Sequence, residues 1–284
     1  MTTGRALYFQ GAQGPLLGVL HPAAGGRPRG HILHLPAFAE EANACRRLVS
    51  QAARALSDAG WSVLLFDLRG TGDSGGQFKE ATWSGWTDDA RAALNTLLHD
   101  RAPTNDTPVW LWGARGGVAL ALELLAAPQS LPTALCNLLA WQPLWSGQQV
   151  LQQWQRVDAA RSWLHAPSPA SDRIPVDDDA AITWVGGYPL SGGLKAGLLA
   201  SAPKPVPPVG RLVWLDTLPT ADATDPPLGT QRQLARWTAQ GGPAAWRGLA
   251  GPSYWASVST ANHPALITAT AQALQDTPDA SPPG

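Results

Sequence analysis

Residues 108–118 have the sequence PVWLWGARGGV. The apolar run before Gly113 predicts a buried strand, the glycines predict a sharp turn, and Val118 begins a predicted apolar helix. This is the local architecture of a nucleophile elbow, G-x-S-x-G, whose central residue sits on a strained turn between strand and helix. Gly113 and Gly117 keep the spacing, but Arg115 stands where that motif has a serine. Because a guanidinium stays charged and cannot attack a carbonyl, the segment predicts a fold more clearly than a reaction.

Around this elbow, strand patterns alternate with helix patterns. Two short apolar runs separated by Gly14 and Pro15 predict an N-terminal hairpin. The strands predicted outside the elbow cover residues 6–11, 16–22, 31–35, 62–66, 135–140, 211–215 and 244–249. Apolar helical stripes cover residues 45–56, 86–97, 118–125, 231–240 and 264–274. This alternation predicts a parallel sheet with right-handed crossovers, with the hairpin at one edge.

Residues 147–207 interrupt the alternation. Residues 150–164 predict one amphipathic helix, and the proline-rich segment 203–208 predicts an extended return to the core. We interpret 147–207 as a cap or lid over the carboxyl end of the sheet; the alternative is a surface excursion with no role in binding. The predicted core is then 1–146 together with 208–276, followed by a disordered tail at 277–284.

The amino-acid composition excludes some classes of binding partner. Of 284 residues, 44% are hydrophobic, 14% are charged, and the formal net charge is -1. These values give enough apolar side chains for a large core and argue against nucleic acid or an anionic membrane surface as a partner. The sequence has no signal-peptide pattern and no apolar run of about 18 residues, so we expect a cytoplasmic protein that does not span a membrane. Neither metal-ligand spacing nor a P-loop ending is present, so we predict no metal and no cofactor.

A family resemblance is carried by short segments spread along the chain, namely PAFAEEAN at 36–43 with the following Arg46-Arg47, WGAR at 112–115, WQP at 141–143, GYPLS at 187–191, GPSYW at 251–255 and PALI at 264–267. In their shared order, these segments resemble the exosortase A system-associated hydrolases, type 2, over residues 6–275. The resemblance implies an α/β-hydrolase-like, mostly parallel sheet with helices on both faces and a cap insertion. It also implies a link to bacterial gene clusters for exopolysaccharide production and exosortase sorting. The family's name rests on its fold and does not establish a reaction.

In active hydrolases of this fold, strand ends supply a serine, an acid and a histidine in that chain order. Arg115 occupies the serine position. The candidate acids follow the strand predicted at 211–215; Asp216 is the nearest, and Asp222 and Asp225 come later. His263 lies between the last strand and the final helix. Each position also has a structural interpretation, Asp216 as a polar strand-end residue and His263 as a helix N-terminal residue.

The oxyanion hole of this fold needs two backbone N–H groups, which Gly116 and the region of Phe38 are placed to supply. Such donors would bind an anion or a carbonyl without any nucleophile. A buried Arg115 needs a counter-charge, and the nearest candidates are Glu40 and Glu41 on the loop after the third strand. Two roles remain open for Arg115. It forms a structural ion pair that holds two loops together, or it binds a carboxylate or phosphate of a ligand through its bidentate fork.

Two functions follow from these alternatives. The first is an atypical hydrolase or acyl transferase for an ester or thioester, in which His263 activates water and Arg115 stabilises charge. The second is a non-catalytic protein that binds a small anionic or acyl ligand, or a protein partner of unknown identity. The absent serine favours the second, while the acid and histidine positions favour the first. We therefore expect a catalytically atypical or inactive hydrolase.

Overall fold

A computed structural model describes residues 3–99, 107–127, 136–164, 182–201, 210–256 and 262–275. The strands are β1 (Arg5–Gly11), β2 (Gly14–His21), β3 (Gly30–Leu35), β4 (Trp61–Phe66), β5 (Val109–Ala114), β6 (Cys136–Trp141), β7 (Thr183–Val185), β8 (Tyr188–Leu190), β9 (Leu212–Leu218) and β10 (Ala244–Ala250). The helices are α1 (Ala39–Asp58), α2 (Trp83–Leu98), α3 (Gly117–Leu125), α4 (Gly147–Leu164), α5 (Gly192–Ala200), α6 (Leu228–Thr238) and α7 (Pro264–Gln275).

Eight of these strands form one sheet in the order β1-β2-β4-β3-β5-β6-β9-β10. The six strands from β4 to β10 are parallel, whereas β1 and β2 form an antiparallel hairpin and β2 is antiparallel to β4. The predicted parallel sheet with a hairpin at its edge is confirmed. Every residue of β3, β5 and β6 is buried, which explains why these strands are apolar without alternation.

The sheet separates two apolar layers. Leu111 belongs to the layer beneath α2 and α3, while its neighbours Trp110 and Trp112 belong to the layer beneath α1 and α7. Successive side chains of a strand point to opposite faces, so helices cover both sides. The helix α3 is buried at every position except Glu123, in agreement with the deep burial predicted for it. No candidate for a membrane crossing is found among the helices of the described ranges.

Of the element boundaries that differ from the prediction, two affect candidate residues. The strand β9 continues to Leu218, so Asp216 lies inside a strand and not in the loop after it. The helix α1 begins at Ala39, so Glu40 and Glu41 occupy its first turn and not a loop. Carboxylates are favoured there because the N-terminal turn exposes N–H groups and the positive end of the helix dipole.

The segment between β6 and β9 contains more regular structure than predicted. Its helix is confirmed as α4, but the β7–β8 hairpin and α5 were not predicted. Ser191 caps α5 by accepting the Leu194 N–H, and its hydroxyl donates to the Ala81 carbonyl. The proline-rich return 203–208 and the tail 277–284 lie outside the described residues. That residues 147–207 act as a cap stays a prediction.

A buried histidine gives the fold a testable acid sensitivity. His34 on β3 packs against Trp112 in a tilted arrangement, with ring centroids 4.4 Å apart, and its Nδ1 lies 3.1 Å from the Trp112 carbonyl oxygen. Burial lowers the pKa of His34 from 6.5 to about 3, and the backbone hydrogen bond only partly opposes this shift. Between these two pKa values the unfolded chain binds a proton that the folded protein does not, so stability falls as pH falls.

We therefore expect His34→Gln to flatten the acid side of the stability profile. From about pH 6.5 to about pH 4.5, the variant should lose about 2–3 kcal/mol less unfolding free energy than the wild type. Urea unfolding at a series of pH values measures this difference. The matched variant His99→Gln, at an exposed position after α2, should follow the wild-type profile. Parallel profiles for wild type and His34→Gln would contradict the assignment.

Candidate functional site at the elbow

The turn between β5 and α3 has the geometry of a nucleophile elbow. Arg115 adopts a φ of 52, in the left-handed region that non-glycine residues rarely occupy. A Cβ on Gly113 would collide with the Val118 backbone, and one on Gly117 would collide with the Leu35 carbonyl. The two glycines are therefore required by close packing on both sides of the turn. The elbow presents a guanidinium where the motif presents a hydroxyl.

The Arg115 side chain is held by protein groups on several sides. Its Nε and Nη2 donate to Oε1 of Glu41 at 3.1 Å and 2.9 Å, and its Nη1 donates to the Gln142 carbonyl at 3.0 Å. The indole of Trp255 covers the guanidinium, with Cζ 4.6 Å from the ring centroid. Arg115 is 6% exposed and Glu41 is 7% exposed. The expected Arg–Glu contact is therefore present, with Glu41 as the partner.

The energetics of this pair are set by burial. Burial raises the pKa of Glu41, and the charge and hydrogen bonds of Arg115 oppose that rise. Breaking such a pair leaves one uncompensated charge in the interior, which is costly. The other candidate, Glu40, is exposed and accepts the Tyr188 hydroxyl at 3.1 Å. Glu40 thus connects α1 to the β7–β8 hairpin, and only Glu41 faces the elbow.

Asp216 is engaged by two tryptophans. Its carboxylate accepts the Trp214 indole N–H at 2.7 Å and the Trp246 indole N–H at 2.8 Å. Trp214 and Trp246 are paired in register across β9 and β10, so the carboxylate bridges neighbouring strands. Burial raises the pKa of Asp216, while the two indoles and the Arg115 charge lower it. The prediction that Asp216 follows the strand is wrong. Asp216 is a buried residue within the strand, and its carboxylate accepts hydrogen bonds from two indole N–H groups.

His263 caps the start of α7. Its Nδ1 accepts the Leu266 N–H at 3.3 Å, and the residue is 3% exposed. The ring packs so closely on Gly251 that no Cβ could fit there, and its Nε2 has no hydrogen-bond partner among the described residues. Burial lowers the pKa of His263, and the charge of Asp222 partly opposes this effect. The imidazole is therefore neutral near pH 7.

The three positions taken from the triad order do not form one constellation. Within the described part of the chain, no hydrogen bond joins Asp216 to His263 or His263 to Arg115. Asp216 shares the face of Leu212 and Trp214, whereas α7 packs on the opposite face of the sheet. The acid whose charge acts on His263 is Asp222, which accepts the Ala250 N–H at 2.7 Å.

The two residues predicted for an oxyanion hole do lie together. A Cβ on Gly116 would lie 2.6 Å from the ring of Phe38, so the two are in van der Waals contact. Phe38 is buried against Trp86, with ring centroids 4.9 Å apart, and against the edges of Trp83 and Trp154. An aromatic side chain therefore fills the space beside the elbow backbone.

The sequence prediction missed Gln142 and Trp255. Gln142 has a φ of 43, and its side-chain oxygen accepts the Thr217 N–H while its carbonyl accepts Arg115. Tyr254 packs edge-on against Trp141 and Trp255, which holds the latter over the guanidinium. Both residues lie in motifs that carry the family resemblance, WQP and GPSYW. Nothing in these motifs indicates that they contact Arg115. Across the described residues, histidines, cysteines and carboxylates form no group of three or more that could hold a metal ion.

The elbow, the strand order and the hairpin together define the fold, and comparison with known proteins agrees. A model of the Hydrolase_4 family, described as serine aminopeptidase, S33, matches residues 26–181. The chain belongs to this family. The Hydrolase_4 match and the similar solved structures confirm the predicted α/β-hydrolase fold. The matched range includes Arg115 and Glu41 and ends before Asp216 and His263.

Several solved structures of the same fold align with almost the whole length of this chain. XC6422 from Xanthomonas campestris, an α/β serine hydrolase without a lid, has a TM-score of 0.55, 17% identity and coverage of 99% of this chain and 98% of that one. A soluble variant of monoglyceride lipase from Saccharomyces cerevisiae has a TM-score of 0.59, 11% identity and 96% coverage of both chains. Est1E from Butyrivibrio proteoclasticus with ferulic acid has a TM-score of 0.58, 11% identity, and coverage of 95% and 98%. No curated protein matches in a sequence search.

The buried ion pair makes a prediction about stability. Arg115→Ala leaves the Glu41 carboxylate buried without its counter-charge, so the unfolding free energy should fall by about 3–5 kcal/mol. Urea unfolding followed by tryptophan fluorescence measures this change. As a control, Arg91→Ala removes a half-buried ion pair with Asp88, which is more open to solvent than the Arg115–Glu41 pair, and should cost less than about 1 kcal/mol.

A second variant separates the charge effect from packing. The double change Arg115→Met with Glu41→Leu removes both charges, so it should be more stable than Arg115→Ala alone. A melting temperature of Arg115→Ala close to that of the wild type would contradict a structural ion pair and favour a ligand-binding role for Arg115.

Proposed function

We propose that this Hydrolase_4 protein is a non-catalytic member of its family that binds an acyl or anionic ligand. The observation that carries the proposal is the set of contacts around Arg115. Three of its N–H groups donate to Glu41 and Gln142, and Trp255 covers its face. These groups occupy the place where a serine hydrolase needs an exposed hydroxyl and a substrate carbonyl.

The histidine geometry supports the absence of general-base chemistry. In a working triad, Nδ1–H donates to the acid and Nε2 accepts a proton from the nucleophile. Here the Leu266 N–H lies 3.3 Å from Nδ1 of His263, so this nitrogen faces the α7 backbone and not an acid. The carboxylate of Asp216 is committed to two indoles, and Asp222, the acid whose charge acts on His263, accepts the Ala250 N–H.

The alternative is an atypical hydrolase or acyl transferase that uses water in place of serine. The retained chain order of Asp216 and His263 favours it, and so do the structural neighbours, which include an α/β serine hydrolase and a monoglyceride lipase. For the ligand class, these neighbours support an acyl compound: the monoglyceride lipase is in complex with a substrate analogue, and Est1E holds ferulic acid. The exposure and contacts of Arg115 support the non-catalytic function over this alternative.

The cellular setting is the less specific part of the proposal. We infer a place in the cytoplasm, beside exopolysaccharide and exosortase machinery, from the sequence motifs that resemble the exosortase A-associated hydrolases. The β7–β8 hairpin, which holds the GYPLS motif, is joined to α1 through Tyr188, Glu40 and Asn43. Copurification with neighbouring gene products of such a cluster tests this setting independently of catalysis.

The catalytic question has a direct test. We expect wild type to release no more nitrophenol from short- and medium-chain nitrophenyl esters, and no more thiol from thioesters, than buffer does. A fluorophosphonate probe should not label it. Arg115→Ser restores a hydroxyl at the elbow, yet it should also stay inactive because His263 and Asp216 remain in their structural hydrogen bonds.

The controls decide between the two functions. A serine hydrolase assayed in parallel confirms that the substrates and the probe react. Ester or thioester turnover by the wild type that disappears in His263→Ala would overturn the non-catalytic proposal and establish a water-activating histidine. Robust activity in Arg115→Ser would show that a competent base is present and would contradict the structural role given to His263.

A further inference from the structure

A cavity among the described residues lies beyond the direct contacts of Arg115. It has a volume of about 690 Å³ and lies between α1, the hairpin strand β2 and the strand β4. Neither Arg115 nor Glu41 is among the described residues that line it. Its volume is in the range of small-molecule sites. Phe38, which touches the elbow at Gly116, lines one end, and the cavity extends from there toward the hairpin edge of the sheet.

The walls of this cavity are largely apolar. Leu17 and Val19 of β2 and Leu65 of β4 form one wall, and Ala42 and Val49 of α1 form the opposite wall. Val19 and Leu65 are paired in register, so the apolar wall is continuous across the two strands. The helix lines the cavity from Ala42 to Arg54, a length of about 18 Å at the rise of an α-helix. The shape therefore suits an elongated apolar chain.

One end of the cavity is polar and electropositive. His21 is 2% exposed, and neither of its ring nitrogens meets a hydrogen-bond partner among the described residues. Gly4 lies directly over the ring, where a Cβ would be 2.8 Å from Cε1. Burial lowers the pKa of His21, and the nearby positive charge of Arg54 lowers it further. A buried imidazole without a partner is costly, and an anion would accept its N–H and face Arg54.

The other cation of the cavity is already paired. Arg46 donates to the Asp67 carboxylate at 3.2 Å, near the opposite end of the α1 wall. Arg54, in contrast, forms no ion pair with any described residue. The two ends of the cavity therefore differ, because the arginine at one end is paired and the arginine at the other end is not. This difference would orient a ligand that is anionic at one end and apolar along its length. Its anion belongs beside His21 and Arg54, and its chain extends toward Phe66 and Leu68.

We propose that this cavity binds a long-chain monocarboxylate, with the carboxylate between His21 and Arg54 and the alkyl chain between α1 and strands β2 and β4. The inference deepens the proposed function, on which it rests, by giving its ligand a site outside the elbow. Its determinants are the opposed apolar walls, the buried His21 and the unpaired charge of Arg54.

Isothermal titration calorimetry with dodecanoate tests the site. Wild type should bind dodecanoate, and both Arg54→Gln and His21→Phe should weaken binding by about tenfold or more, because each removes a hydrogen-bond donor to the carboxylate. The matched control Arg232→Gln changes an exposed arginine on α6 and should bind as the wild type does. Dodecanol and dodecyltrimethylammonium, which lack the anion, should bind at least tenfold more weakly.

A cavity-filling variant tests the location of the chain. Val19→Trp should abolish dodecanoate binding, and its thermal unfolding shows whether it is folded. If Val19→Trp does not fold, Arg54→Gln still tests the site, because Arg54 is exposed and its substitution should not disturb folding. Absence of dodecanoate binding by the wild type, or equal binding by wild type, Arg54→Gln and Arg232→Gln, would overturn the inference. Ester turnover would overturn the non-catalytic function instead, so the two failures are distinguishable.

Discussion

The carboxyl end of the sheet depends on one buried guanidinium. Arg115 sits on a left-handed turn between β5 and α3, where water cannot solvate its charge. Its partners come from three other places: Glu41 from α1, the Gln142 carbonyl from the end of β6, and Trp255 from the loop after β10. One side chain therefore connects elements that are distant in sequence. The strained backbone at positions 115 and 142 is maintained because these contacts determine it.

The sheet was predictable because burial leaves a direct mark on sequence. Strands buried on both faces are apolar at nearly every position, and β5 and β6 follow this rule. The boundary errors arose where polar residues continue an element. Asp216 extends β9 because two indoles satisfy its carboxylate, and Glu40 and Glu41 extend α1 toward its N-terminus because helix starts favour acids. Hydrophobic periodicity alone detects neither situation.

The site was less predictable, since the chain order of an acid and a histidine fixes topology but not the direction of side chains. Side chains alternate along a strand, so Asp216 shares the face of Leu212 and Trp214. The residues of α7 belong to the opposite layer. The alternation of side chains assigns Asp216 to this face only if the strand continues through position 216. The predicted strand ended at residue 215, so the alternation was not applied to Asp216. The cross-strand indole of Trp246 depends on the register of β9 and β10, which no local pattern specifies.

The elbow and the cavity meet at α1. Its first turn carries Glu41 to Arg115, and Cys45, one turn later, lines the cavity. Because Arg115 fixes the start of this helix, it also fixes the wall against which an apolar chain would lie. A rigid wall lowers the ordering cost of binding, which favours affinity without any contact between ligand and elbow. Arg115 at the central position of the elbow therefore links this turn to α1, the helix that forms one wall of the neighbouring cavity.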